Sequence, residues 1–161
     1  MTHIVVIGAG QAGSSLVVKL RNLGFDGRVT LIGAENAPPY QRPPLSKKYL
    51  LGEMDLERLY LRPLAFYGEH DIDLRLGTTV TAIDPVAKAV TLAGEVLPYD
   101  ELALTTGSNP RLLPVGIGGA LGGVYAVRGC ADSRALNYLA EATVHDPDVC
   151  EVAVVGCTAA A

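Results

Sequence analysis

Glycines 8, 10 and 13 follow directly on the apolar run Ile4-Val5-Val6-Ile7, and an acid, Glu35, stands about twenty residues further on. Each of these residue types suits one part of an adenine dinucleotide. Gly8 allows a tight turn out of a strand, Gly10 lets a pyrophosphate approach the backbone, and Gly13 lets the following helix pack close to its sheet. A helix starting at Gln11 offers free N–H groups and the positive end of its dipole to phosphate. Glu35 can accept hydrogen bonds from ribose hydroxyls. The bare glycine pattern also occurs in turns that hold no ligand, and it does not separate FAD from NAD. Strand, helix, second strand and acid in register are what favour the dinucleotide.

A second block, Tyr40-Gln41-Arg42-Pro43-Pro44-Leu45-Ser46-Lys47-Lys48, carries cations on a backbone stiffened by proline. Those cations could pair with phosphate or with the electron-rich edge of a flavin. On pattern alone a solvated basic helix end is the plainer account. The histidines His3, His70 and His145 are isolated and read as surface or loop residues. The three cysteines, Cys130, Cys150 and Cys157, form no C-x-x-C pair, no metal-like cluster and no disulfide framework. A reducing cytoplasm is the natural setting for such usage.

The elements that must position these residues can be read from periodicity. His3–Ile7 is an apolar run without alternation, as in a parallel strand covered on both faces. Residues 11–23 carry Leu16, Val17, Leu20 and Leu23 at helical spacing, with Gly24 as a stop. Arg28–Ile32 is a second strand, so the unit is β-turn-α-β and crosses over right-handedly into a parallel pair. Four prolines make 37–44 a loop, short helices are expected over 46–51 and 63–67, and a strand over 72–76. Segments 79–83, Ala89–Leu92 and 96–99 alternate between turn signals and form a small antiparallel meander. A buried strand returns at 101–105, a Gly/Pro-rich crossing spans 108–123, a helix 133–142 and a last strand 152–155. The fold class is therefore α/β, a parallel sheet with a small antiparallel meander attached.

Composition agrees with a core-rich chain and removes some partners. Of 161 residues 49% are hydrophobic, and mean hydropathy is +0.28, enough for one domain with a real core. Net charge is −4 with no strongly basic face, which argues against nucleic acid. No apolar run has the length of a membrane span, and the N-terminus lacks a signal-peptide layout.

The block from Tyr40 to Lys47 resembles the signature of FAD-dependent, NAD(P)H-linked ferredoxin reductases of the putidaredoxin and rhodocoxin reductase type. Asp73-Leu74-Arg75-Leu76-Gly77-Thr78-Thr79-Val80, Leu102-Ala103-Leu104-Thr105-Thr106-Gly107-Ser108 and Val127-Arg128 resemble further segments of that family, in order, over residues 2–156. The resemblance implies a Rossmann-like FAD-binding fold. It implies that Gly8, Gly10, Ala12 and Gly13 hold the FAD pyrophosphate and that Glu35 binds the adenosine ribose. Arg42 and Lys47 are implied to contact phosphates and flavin, Val80 to present its backbone to the adenine, and Thr106, Gly107 and Arg128 to line the cofactor's path. A [2Fe-2S] ferredoxin is the implied partner. Ala34 departs from the family, where many members carry an acid, so ribose binding rests on Glu35 alone. No cysteine precedes Cys130, so electrons are expected to leave through the flavin rather than through a thiol pair.

Val152-Ala153-Val154-Val155-Gly156 echoes the opening strand, but Thr158 and Ala161 stand where a second fingerprint has glycines. We read 1–149 as an incomplete FAD-binding domain and 150–161 as the start of a truncated NAD(P)H-binding domain whose nucleotide site is missing. A non-catalytic FAD-binding or interaction module, completed by another chain, and an inert remnant are the alternatives.

Overall fold

Strand β1, His3–Ile7, lies in the middle of a four-stranded parallel sheet. The computed structural model describes residues 1–108 and 113–117. Two compact units divide the chain. One joins Met1–Gln41 to Leu56–Gly107, and the other contains Arg42–Asp55. The expected helix at 133–142, the strand at 152–155 and the site residue Arg128 lie outside the described residues.

In the first unit β1 leads into helix α1, Gln11–Asn22, and then β2, Arg28–Ile32. Helix α2, Leu64–Glu69, precedes β3, Ile72–Arg75. Strands β4, Val80–Asp84, β5, Ala89–Leu92, and β6, Glu95–Pro98, form an antiparallel sheet of their own. Strand β7, Glu101–Leu104, then returns to pair with β1, giving the order β3-β2-β1-β7. The α/β class and the attached meander expected from the sequence are both present.

Side-chain parity explains why β1 and β2 are buried on both faces, whereas β7, expected as a buried strand, is half-buried to exposed. Val6, Val29 and Leu31 point to one side, where Val17 of α1 and Tyr67 of α2 cover them. Val5, Ile7 and Ile32 point to the other, where Val90 and Leu92 of β5 and Leu97 of β6 close the core. The unbroken apolar run of β1 is thus required by the meander on one side and the helices on the other. Arg21, in the last turn of α1, ties that helix to the connections leading into β2 and β3. Its guanidinium donates to the carbonyls of Phe25, Gly27, His70 and Asp71, at 2.6 to 2.9 Å.

Three further local expectations change. The helix expected over 46–51 is instead a 3-10 turn at Pro43–Ser46 followed by turns that end at Gly52, whose φ is +71°. Pro43 and Pro44 bring no N–H to the turn, and Lys47 N–H closes back on Pro44 O at 2.9 Å. Leu23 is the C-cap of α1 and is exposed, because the helix has stopped before the apolar stripe returns. His3 is not a surface residue. It is buried, with Nδ1 2.8 Å from Pro98 O and Nε2 2.9 Å from Thr30 Oγ1, while its backbone N–H donates to Asp100 Oδ2 at 2.6 Å. The Pro98 carbonyl can only accept, so Nδ1 donates to it, while the Thr30 hydroxyl facing Nε2 also reaches Asp73 Oδ2 at 3.2 Å.

Burial, with the Arg28 guanidinium acting in the same direction, holds the His3 ring below its ordinary value of 6.5, although the Pro98 carbonyl, Asp100 and Asp73 oppose the shift. The folded ring therefore binds its proton less readily than the unfolded one. Between the two values the unfolded chain carries more protons, so stability is full above pH 6.5 and falls as pH drops below it. We expect urea unfolding between pH 7.5 and about 5 to show this loss. The variant His3→Gln should have a flatter profile over the same range, and parallel profiles would remove His3 as the source.

Candidate functional site

The turn that leaves β1 is built against the segment that leaves β7. Gly8 N–H donates to Ile32 O at 2.8 Å, and Thr105 N–H donates to Ile7 O at 2.8 Å. The Thr105 hydroxyl reaches two carbonyls, Ile7 O at 3.1 Å and Gly8 O at 2.8 Å. Gly8 has φ +113°, and a β-carbon there would fall 2.2 Å from Thr105 O. A β-carbon at Gly13 would fall 2.1 Å from Gly8 O, and one at Gly33, just past β2, 2.6 Å from the Ala9 β-carbon. These three glycines are demanded by the protein's own packing.

Gly10 is different. It is the N-cap of α1, its φ of −99° is open to any residue, and a β-carbon there would meet nothing within 4 Å among the described residues. Neither backbone conformation nor packing calls for a glycine. No side chain caps the helix start and its first turn holds no acid, while Lys19 and Arg21 sit at the opposite end. The positive end of the helix is thus left open to an external anion. A pyrophosphate fits this cradle: it needs close backbone approach, N–H donors and no competing carboxylate.

The turn after β2 carries Glu35. Gly33 N–H donates to Arg75 O at 2.8 Å, Thr78 N–H to Gly33 O at 2.9 Å, and Gly77 N–H to Glu35 O at 2.9 Å. The Glu35 carboxylate accepts the Tyr40 hydroxyl at 2.6 Å. Val80, two residues past Thr78, opens β4 and packs its side chain against the Val5 core.

The first unit therefore gathers Gly8, Gly10, Ala12, Gly13, the Glu35 turn and the start of Thr106-Gly107 around the carboxyl ends of the parallel strands, where open α/β sheets hold ligands. Ala12, Thr106 and Gly107 are exposed there. Arg42 and Lys47 belong to the second unit, where they flank the 3-10 turn as its N-cap and C-cap. Thr105 and Gly33 were not singled out by sequence. Gly33 stands directly after an apolar run, which is a usable signal, whereas Thr105 earns its place through a contact 97 residues away.

Comparison with known proteins gives a consistent answer. Residues 2–160 match the family model of the pyridine nucleotide-disulphide oxidoreductases. Rhodocoxin reductase of Rhodococcus erythropolis is 46% identical over 135 residues, covering 83% of this chain and 31% of the relative. A ferredoxin–NAD(P)+ reductase of Sphingomonas sp is 40% identical over 158 residues, covering 96% of this chain and 36% of the relative. The crystal structure of the covalent putidaredoxin reductase–putidaredoxin complex matches with a TM-score of 0.77 and 38% identity, over 85% of this chain and 34% of that one. The chain spans about a third of the length of the curated relatives it matches.

The glycines separate experimentally. Gly8→Ala and Gly13→Ala should each lose at least about 2 kcal/mol of unfolding free energy, from clash and, at position 8, backbone strain. Gly10→Ala should lose no more than about 1 kcal/mol, the difference between alanine and glycine at an N-cap. Denaturant unfolding of the three variants checks the ranking.

Proposed function

The chain belongs to the pyridine nucleotide-disulphide oxidoreductase family, and from that premise we propose that residues 1–149 bind FAD as part of a flavoprotein oxidoreductase. That enzyme passes electrons from NAD(P)H through FAD to a [2Fe-2S] ferredoxin. Residues 150–161 begin its NAD(P)H-binding part. The names of the relatives, rhodocoxin reductase and ferredoxin–NAD(P)+ reductase, support the reaction. The observation that carries the cofactor is Gly10, a glycine with open space at its β-carbon at the start of an uncapped helix.

In this reading the first-turn N–H groups of α1, with Gly8, Gly10, Ala12 and Gly13, receive the pyrophosphate. Glu35 accepts the adenosine ribose hydroxyls, and the backbone of Val80 meets the adenine. Arg42 and Lys47 supply positive charge toward phosphates and flavin, and Thr106, Gly107 and Arg128 line the path of the cofactor. Bound FAD supplies the exchange between a two-electron hydride donor and a one-electron iron–sulfur acceptor. The residues of this chain bind and orient it. No cysteine precedes Cys130, so the first 129 residues offer no thiol to stand between flavin and acceptor.

Titration of the 161-residue chain with FAD, followed by flavin fluorescence, tests the proposal. FAD should bind and FMN, which lacks the pyrophosphate and adenosine, should not. Gly10→Ala should weaken FAD by at least about tenfold, roughly 1.4 kcal/mol. Equal binding of FMN, or unchanged affinity in Gly10→Ala, would overturn it.

A further inference from the structure

Glu35 has no acidic neighbour at position 34, where alanine stands, so a single carboxylate must meet a ribose diol. A glutamate has three rotatable side-chain bonds, and a ligand that has to freeze them loses affinity. The structure removes much of that freedom beforehand. The Tyr40 hydroxyl donates to Glu35 Oε2 at 2.6 Å, the short range of a hydrogen bond to an ionised acceptor.

Tyr40 is itself held by the fold. Its side chain is 5% exposed. Its backbone pairs with Tyr60 in an antiparallel bridge, with Gln41 N–H donating to Leu59 O and Leu61 N–H to Pro39 O, both at 2.8 Å. At the other end of Glu35, Gly77 N–H holds the carbonyl. The carboxylate is thus fixed at its tip by a buried phenol and at its base by the backbone that leads to Val80.

We propose that Tyr40 is a positioning residue for ribose recognition: its hydroxyl sets the orientation in which Glu35 receives the two adenosine hydroxyls of FAD. The proposal rests on the reading of Glu35 as the ribose ligand. It gives the tyrosine of the proline-rich block a task separate from that of Arg42 and Lys47.

The test is a set of titrations of the 161-residue chain, the variants Tyr40→Phe and Glu35→Gln, and the double variant. Each is titrated with FAD and with an FAD analogue whose adenosine lacks the 2′-hydroxyl. Tyr40→Phe keeps the buried ring and should weaken FAD about three- to tenfold. It should have a smaller effect on the analogue, and little further effect on FAD once Glu35→Gln is present. A purely structural role would weaken both ligands equally and in both backgrounds, and that result overturns the proposal. So does wild-type affinity in Tyr40→Phe while Glu35→Gln binds weakly, which leaves the ribose role of Glu35 standing. Unchanged FAD affinity in Glu35→Gln overturns the ribose reading itself. Absence of FAD binding by the parent chain overturns both.

Discussion

The contact between Gly8 and Thr105 is the constraint on which the candidate site depends. Two backbone segments, 97 residues apart, meet so closely that a β-carbon at Gly8 has no room. The threonine hydroxyl spans the carbonyls of Ile7 and Gly8 as β1 ends, which fixes where the chain turns and therefore where α1 starts. Gly13 then lets the helix settle on that same carbonyl of Gly8. A helix displaced outward by one methyl group would aim its first N–H groups elsewhere. The anion cradle at Gly10 is thus a consequence of packing beneath it, and the residue facing the open space is itself under no packing demand.

The sheet supplies the rigidity that makes such close approaches possible. Because β1 is buried on both faces and paired on both edges, its end can serve as a fixed reference for the turns around it. The Glu35 turn uses β2 and β3 in the same way, through Gly33 to Arg75 and Thr78 to Gly33. The glycine turn after β1 and the Glu35 turn after β2 each lie within a few residues of a backbone hydrogen bond to a neighbouring strand end, so their positions are set by the sheet rather than by the loops' own propensities.

Much of this was legible because it is local. The apolar run of β1, the helical spacing after Gln11, the alternation of the meander and the glycine spacing all report structure within a window of a dozen residues. The misread segments share a different cause. At 46–51 helical spacing was outweighed by Pro43-Pro44 just upstream, where steric restriction and missing donors favour a 3-10 turn. His3 reads as an isolated polar residue at a chain end, yet its partners are Thr30 and Pro98, which only the folded sheet brings to it. Glu35 was visible as a candidate, and Tyr40 only as the first residue of the proline-rich block. Their hydrogen bond was not legible, because the irregular segment between them, Asn36-Ala37-Pro38-Pro39, has no period from which a contact can be read.

The two halves of the site solve opposite electrostatic problems, and this bears on how a dinucleotide would lie across them. A pyrophosphate is anionic and suits N–H donors at a helix start with no acid nearby, which is what α1 provides. A ribose diol is a neutral donor and suits a carboxylate, which would repel the pyrophosphate if it sat in the cradle. The fold separates the two by placing them on successive strand ends, after β1 and after β2, joined where Gly33 packs on Ala9. In the proposed mode the adenosine is therefore directed toward β2 and the Val80 segment. The other half of the cofactor is directed toward Thr106 and Gly107 after β7, on the opposite side of β1. In that mode strand order and the position of the acid together set the polarity of the ligand, because β2 and β7 flank β1 and only the β2 end carries Glu35.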